Sequence, residues 1–307
     1  MSILVFGHKN PDTDTICSAI AYAELKGKLG KDVKAVRLGE VNEEIKFVLD
    51  YFKVEKPELI ESVSGKEIML VDHNERTQTA DGFEEAKVLE LVDHHRISNF
   101  NVDEPLYVRM EPVGCTATII LKLFKENNLL PEPTTAGLML SAIVSDTLLF
   151  KSPTCTGCDV KAGKELAEIA GVNVEEYGLE MLKAGTALGG KSESELINMD
   201  MKIFEVDGSK IGVAQVNTVN EAELLERKEK LLSEINNIIN KEGLKFFIFA
   251  ITNILSNDST GIVAGDGNAI IEKAFNEKID NNLIALKGVV SRKKQIIPPL
   301  TKAIQEA

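Results

Sequence analysis

The sequence predicts an α/β protein in two parts, an N-terminal domain built on a parallel sheet and a smaller C-terminal α/β domain. Three observations carry that reading. Through the first ~150 residues short apolar runs alternate with longer amphipathic stretches, the pattern of strands joined by crossover helices. After Leu188 the chain turns small and polar, as Gly189-Gly190-Lys191-Ser192-Glu193-Ser194, which is linker chemistry. A chain of 307 residues also has length for about two domains of roughly 100–200 residues each. The expected division is 1–188, a hinge at 189–193, and a second domain at 194–307.

In the first domain Ile3–Phe6, Ile68–Val71 and Val88–Val92 read as strands, each ending in a polar cluster. Ile16–Leu29 and Glu43–Phe52 carry helical patterns, and Ala136–Val144 is rich enough in Ala, Leu and Met to be a helix. In the second, Lys202–Val206 and Lys210–Val216 flank Asp207-Gly208, a hairpin signal. Leu224/Leu225, Leu231/Leu232, Ile235 and Ile238/Ile239 recur at helical spacing, with Gly243 as a stop. Phe246–Ile251 and Gly261–Ala264 read as further strands.

Charge and composition remove several function classes. Lys+Arg total 35 against 48 Asp+Glu, a net charge of −13, which disfavours nucleic acid as a partner. Trp is absent and aromatics are 5%, too few for base-stacking platforms. The most apolar stretches, Leu138–Val144 and Phe246–Ile251, fall well short of the ~20 residues of a spanning helix, so no membrane partner is expected. The N-terminus has no secretory pattern, and four cysteines in this length do not make a disulfide framework. The expected compartment is the cytoplasm.

The chemistry concentrates at strand ends. All four histidines, His8, His73, His94 and His95, follow a predicted strand and have an aspartate nearby. The clusters read Gly7-His8-Lys9-Asn10-Pro11-Asp12-Thr13-Asp14, Asp72-His73-Asn74 and Asp93-His94-His95. In an open parallel sheet the carboxyl ends of the strands share one edge, so the three clusters converge there. Several aspartates cannot stay ionised together without cations between them. A mixed Asp/His set without thiolate suits Mn2+, Mg2+ or Co2+, and its size suits two ions, the recurrent device for attack on phosphorus.

Near the C-terminus Ser291-Arg292-Lys293-Lys294 follows apolar Gly288-Val289-Val290. It reads either as a solvated turn or as an anion clamp, with Arg giving fork geometry and Lys a point charge. Two other patterns are weak. Gly185 to Ser192 fits G-x-x-x-x-G-K-[ST], but a helix is predicted before it where a P-loop needs a strand. Cys155-Thr-Gly-Cys158 is a lone C-x-x-C.

These motifs, in this order and spacing, resemble the family II (manganese-dependent) inorganic pyrophosphatases of the DHH phosphoesterase superfamily, over essentially the whole chain. The resemblance includes Glu111-Pro-Val-Gly-Cys-Thr-Ala-Thr118 and implies a DHHA2-type second domain. It implies that His8, Asp12 and Asp72 hold one metal and Asp14, Asp72, His94 and Asp146 the other, with Asp72 bridging. His95, Lys202, Arg292 and Lys293 would contact the phosphates and serve catalysis, while Asp93 and His73 orient their neighbours. The implied reaction is hydrolysis of pyrophosphate to two phosphates by a metal-bridging water. The implied cofactors are two Mn2+ per subunit, with Co2+ a possible substitute and Mg2+ arriving with substrate; the implied assembly is a homodimer. An exopolyphosphatase or a DHH-superfamily phosphodiesterase is the alternative. Asp12, Asp14, Asp72 and Asp146 contribute −4, which two divalent ions balance. A local phosphate site can therefore exist on a chain of net charge −13.

Overall fold

The computed structural model describes residues 2–306 except Ala187 and Gly189, so the first glycine of the expected hinge lies outside the described residues. The chain forms two compact units, Met1–Gly185 and Thr186–Ala307.

The first unit runs β1 (Ile3–Phe6), α1 (Thr13–Lys28), β2 (Val33–Arg37), α2 (Glu43–Tyr51), β3 (Glu58–Leu59), β4 (Glu67–Val71), β5 (Lys87–Asp93) and β6 (Tyr107–Met110). It closes with α3 (Thr116–Glu126), α4 (Pro133–Asp146), α5 (Gly157–Ala170) and α6 (Val174–Gly185). Its six strands lie in the order β3-β2-β1-β4-β5-β6 and every pair is parallel. Ile68–Val71 and Leu91–Asp93 are buried without a break, as expected of strands covered on both faces. The chain leaves β1 towards β2 and later returns on the other side as β4. This reversal separates the loops after β1 and β4 and opens a crevice at the carboxyl ends.

Helix α4 is buried from Thr135 to Val144, which explains its apolar character all round. It packs on α1 and α5. On β5 the register steps from Ile68↔Val88 to Met69↔Glu90, a bulge at Leu89. Beyond it, buried Glu90 pairs with Lys26 at 2.6 Å and Lys31 at 2.8 Å and accepts the Tyr22 hydroxyl.

The second unit runs α7 (Glu193–Asn198), β7 (Met201–Val206), β8 (Ser209–Thr218), α8 (Glu221–Leu225), α9 (Lys228–Glu242) and β9 (Phe246–Asn253). Then come β10 (Asp258–Gly265), α10 (Asn268–Phe275), β11 (Leu283–Leu286) and α11 (Ile297–Gln305). Its sheet order is β11-β10-β9-β8-β7, antiparallel except for the β8–β9 pair. Leu231, Ile235, Phe247 and Phe249 fill one core; Ile271, Phe246, Leu300 and Ile304 fill another.

One expectation differs from the structure. The apolar repeat from Leu224 to Ile239 is two helices, interrupted where Arg227 turns its guanidinium to Glu193 and the Lys191 carbonyl. Around the expected hinge at 189–193, two neighbouring features are ordered by their partners. Ser192 caps α7 through a capping box with Glu195, and Leu188, Leu196 and Ile197 are buried in the second core. The second unit therefore begins before residue 194, because apolar Leu188 is already recruited to its core.

The buried ion-pair cluster at Glu90 gives a stability prediction. Burial would raise this carboxyl, but Lys26, Lys31 and Tyr22 together hold it below the usual range. Its contribution is therefore complete above the unfolded pKa of about 4.3 and fades as pH falls through the depressed folded value. Glu90→Gln should cost about 3 kcal/mol at pH 7, since two lysines lose their partner. Urea unfolding at pH 7 and at acid pH checks this: the gap to the parent chain should narrow on acidification, and a constant gap contradicts the assignment.

Candidate metal centre

Three strand ends and two helix termini bring the expected first-unit ligands into one crevice. His8 follows β1, Asp72 follows β4, and His94 and His95 follow β5. Asp12 is the N-cap of α1, Asp14 lies in its first turn, and Asp146 is the last residue of α4. Carboxylates suit the start of α1 electrostatically, and Asp12 Oδ1 accepts the Thr15 N–H at 2.9 Å.

Asp72 is the centre of the arrangement. Its Oδ2 lies 3.6 Å from His8 Nε2, and its Oδ1 lies 3.5 Å from His94 Nε2. The two oxygens also accept Thr15 Oγ1 at 2.7 Å and Thr116 Oγ1 at 3.2 Å. Its backbone is left-handed, φ 57°, while its N–H still donates to the Val92 carbonyl at 3.0 Å. A non-glycine residue pays for that conformation, and such strain gathers at functional sites. His8 Nε2 reaches Asp12 Oδ2 at 3.3 Å, and His94 Nε2 reaches Asp146 Oδ2 at 3.8 Å. His94 Nδ1 donates to the Val113 carbonyl at 3.1 Å, which leaves Nε2 with its lone pair towards the carboxylates.

Asp14 is fully buried and sits on the N-terminus of α3. The Thr116 N–H donates to its Oδ2 at 2.7 Å; the Ala117 N–H and Ser18 Oγ donate to its Oδ1 at 3.3 and 2.6 Å. The carboxylate thereby satisfies N–H groups that a helix start leaves free.

The electrostatics call for cations. Burial, then Asp14 and Asp12, push Asp72 well above the usual carboxylate range; burial, then Asp14 and Asp72, do the same to Asp146. Burial would raise Asp12 too, but His8 brings it below its ordinary value. Candidate donor atoms within 4.8 Å of one another form three groups: His8/Asp12/Asp72, Asp72/His94/His95 and Asp14/Cys115/Asp146. Imidazole and carboxylate together fit a divalent transition cation better than a closed thiolate site.

His95 and Cys115 join these groups beyond the expected ligands. His95 Nδ1 is engaged by Asp93 Oδ1 at 2.9 Å, closer than its 3.7 Å to Asp72. The Cys115 thiol is pushed up by burial, Asp14 and Asp146, so it stays protonated and is a poor ligand. Asp93 also accepts the Asn74 amide at 2.6 Å. His73 Nδ1 donates to the Val71 carbonyl at 2.9 Å, and burial pulls its ring down to about 4, so it brings no charge. Sequence reasoning passed over Thr15, Thr116 and Cys115; two of them lie in the Glu111–Thr118 stretch.

Lys202, Arg292 and Lys293 belong to the second unit. Lys202 opens β7 and is exposed, as is Lys293. Arg292 Nη2 pairs with Asp200 Oδ1 at 2.8 Å, and Nη1 donates to the Asp200 carbonyl. The Arg292 N–H donates to Gln215 Oε1 at 2.9 Å, tying the Ser291–Lys294 turn to β8. Gln295 Oε1 accepts the N–H groups of Val290 and Ser291 at 3.0 and 3.1 Å. The turn is thus a built element, anchored by two glutamines that carried no signal in the sequence.

Fold and site define a DHH-type protein whose crevice gathers histidine and aspartate donors that could hold a metal ion. Residues 2–143 match the model of the DHH family N-terminal domain, and residues 179–303 match the DHHA2 domain. A protein of Exiguobacterium sp. named probable manganese-dependent inorganic pyrophosphatase is 59% identical over 304 residues, covering 98% of both chains. One of the same name from Bacillus cereus is 55% identical over 305 residues, covering 99% of both. The crystal structure of a Methanococcus jannaschii protein assigned to family II inorganic pyrophosphatases matches with a TM-score of 0.64 and 43% identity. That match covers 99% of this chain and 100% of the other. The chain belongs to the family II, manganese-dependent inorganic pyrophosphatases.

The neighbouring histidines should separate in their effects. His94→Gln removes a nitrogen facing Asp72 and Asp146, and should weaken Mn2+ binding about 10-fold or more. His95→Gln should leave Mn2+ binding nearly unchanged, because its near ring nitrogen is held by Asp93. Calorimetric titration of Mn2+ into both metal-stripped variants checks this, and equal losses in the two contradict it.

Proposed function

We propose that the chain hydrolyses inorganic pyrophosphate to two phosphates with two divalent cations, Mn2+ by preference. The observation that carries this reading is Asp72, whose two oxygens face different imidazoles, His8 and His94. One ion would be held by His8, Asp12 and Asp72, the other by Asp14, Asp72, His94 and Asp146. Bound there, the cations would supply Lewis acidity towards phosphoryl oxygen and acidify water at neutral pH. The names of the full-length relatives support the substrate.

The chain's own residues have separate tasks. Asp72 and Asp14 are fixed by hydroxyls and N–H groups before any ion binds, so the donor set is preorganised. Asp93 fixes the His95 ring through Nδ1, and its other nitrogen is proposed to meet a phosphoryl oxygen. Lys202, Arg292 and Lys293 are proposed to supply positive charge to the phosphates, with Mg2+ accompanying the substrate and Co2+ able to replace Mn2+. Asp200 engages both Nη atoms of Arg292, so two-point recognition of phosphoryl oxygens by this planar group would replace those bonds.

A homodimer is proposed through edge strand β6, where Tyr107 and Val108 are 43% and 47% exposed beside unpaired backbone groups. An edge of this kind is a template for a second copy of the chain. With Cys17 and Cys115 buried as free thiols, a reducing cytoplasm is the proposed compartment.

Two measurements test the function. Metal-stripped protein should release phosphate from pyrophosphate when Mn2+ is restored and much less with Mg2+ alone, since His8 and His94 favour the transition metal. Faster release from tripolyphosphate would instead identify an exopolyphosphatase, and cleavage of a short oligonucleotide a phosphodiesterase. Arg292→Ala should lower kcat/KM about 100-fold while Mn2+ affinity in calorimetry stays at the parental value. Parental activity in that variant excludes Arg292 from the substrate contacts.

A further inference from the structure

Glu44, on the first turn of α2, is used by none of the motifs, yet it reaches the rim of the metal centre. A single oxygen, Oε1, accepts Thr13 Oγ1 at 2.5 Å and Ser145 Oγ at 2.5 Å. Thr13 stands between Asp12 and Asp14 at the start of α1. Ser145 directly precedes Asp146 at the end of α4. The two donors are 132 residues apart in sequence, and no other hydroxyl bridge of this kind joins those helix ends among the described residues.

The other carboxylate oxygen explains a glycine. A Cβ on Gly185 would stand 2.5 Å from Glu44 Oε2 and 2.9 Å from Glu44 Cβ. Gly185 ends α6 and opens the stretch that imitates a P-loop in the sequence. Its bare Cα leaves room for the Glu44 side chain, and that contact accounts for the glycine without a nucleotide.

We propose that Glu44 is a positioning residue for the metal centre, one oxygen holding the Asp12–Asp14 turn and Asp146 at a fixed separation. It touches neither the proposed ligands' oxygens nor a substrate; it acts through Thr13 and Ser145. A carboxylate suits the task because it accepts two hydroxyl protons at one oxygen without offering a competing donor. Residues standing behind metal ligands commonly change metal affinity 10–100-fold when replaced. The inference rests on the metal-centre reading above, and its test uses Mn2+ without substrate.

Mn2+ is titrated calorimetrically into the metal-stripped full-length chain and its variants, with thermal melts alongside. Glu44→Ala should weaken Mn2+ binding about 10-fold or more, and Glu44→Gln, which keeps an acceptor at Oε1, should restore most of it. Ser145→Ala and Thr13→Val should each give part of the loss, and they carry the test if Glu44→Ala does not fold. Adding Ser145→Ala to Glu44→Ala should bring little further loss, since both remove the same bridge. Gly185→Ala should weaken Mn2+ binding a few-fold by pressing on Oε2. Parental Mn2+ affinity in Glu44→Ala, or in both Ser145→Ala and Thr13→Val, overturns the proposal. So does a lowered melting temperature with parental affinity, which marks a merely structural contact. If the parent chain takes up Mn2+ but leaves pyrophosphate intact, the functional reading fails alone; if it takes up no Mn2+, both fail.

Discussion

The crowding of aspartates around Asp72 is the constraint on which the rest of the first unit depends. Asp12, Asp14, Asp72 and Asp146 come from three separate elements and meet where burial and mutual repulsion raise Asp72 and Asp146 well above the ordinary range. Such a cluster cannot be held together by its own members. It is held by donors: the start of α3 on Asp14, Thr15 and Thr116 on Asp72, Thr15 again on Asp12. Those donors come from helices that the β1/β4 reversal lets approach one edge of the sheet. The topology therefore does more than gather ligands; it supplies the partners that keep acidic groups side by side.

A second cost is visible beyond Asp146. Leu148, Leu149 and Phe150 all have positive φ, 47°, 54° and 64°, a left-handed turn without a glycine. Each such residue costs roughly 1–2 kcal/mol relative to right-handed backbone. The turn persists because its side chains enter prepared space. Phe150 lies against Gly163, where a Cβ would be 2.6 Å from its ring, and Leu149 against Gly178 at the same distance. Thr147 Oγ1 accepts the Phe150 N–H at 3.2 Å. Packing against α5 and α6 thus offsets strain at the element that ends in a proposed ligand, a pattern seen where geometry matters more than local comfort.

Much of this was legible in the sequence, for a physical reason. Parallel strands buried on both faces read as apolar runs, and the histidines fall at their ends, so position along the chain already placed them at one edge. Asp146 and Lys202 needed the family resemblance, because one acid at a helix end or one lysine on a strand looks like a solvated group. Thr15, Thr116 and Glu44 had no signal at all. Their importance lies in contacts across 31 to 101 residues, and a threonine or glutamate on a helix face is unremarkable until its partner is known. The break between α8 and α9 was hidden similarly, since the apolar period continues through Arg227 while its guanidinium bonds to the loop before α7. Next to the expected hinge, Gly, Ser and Lys describe a linker, and the burial of Leu188 just before them carried no signal because one leucine beside polar residues has no period to read.

The second unit separates rigidity from reach in its basic turn. The backbone of the Ser291–Lys294 segment is fixed by Gln215 and Gln295, and Gln215 is itself anchored by Thr252 at 2.8 Å. None of these bonds uses a charged head group. The guanidinium of Arg292 has its own partner in Asp200, whose side chain is about half exposed. The guanidinium itself is largely buried, and its Nη1 donates to the Asp200 carbonyl as well. Moving the guanidinium breaks its bonds to Asp200, whereas displacing the turn would break several hydrogen bonds between neutral groups. On the proposed function, a phosphate would compete with Asp200 for Arg292 while the backbone that aims the side chain stays in place. On that reading, a chain of net charge −13 would in this way offer its anionic substrate a local cationic contact. Asp200 would then keep the guanidinium oriented until a more highly charged partner replaces it.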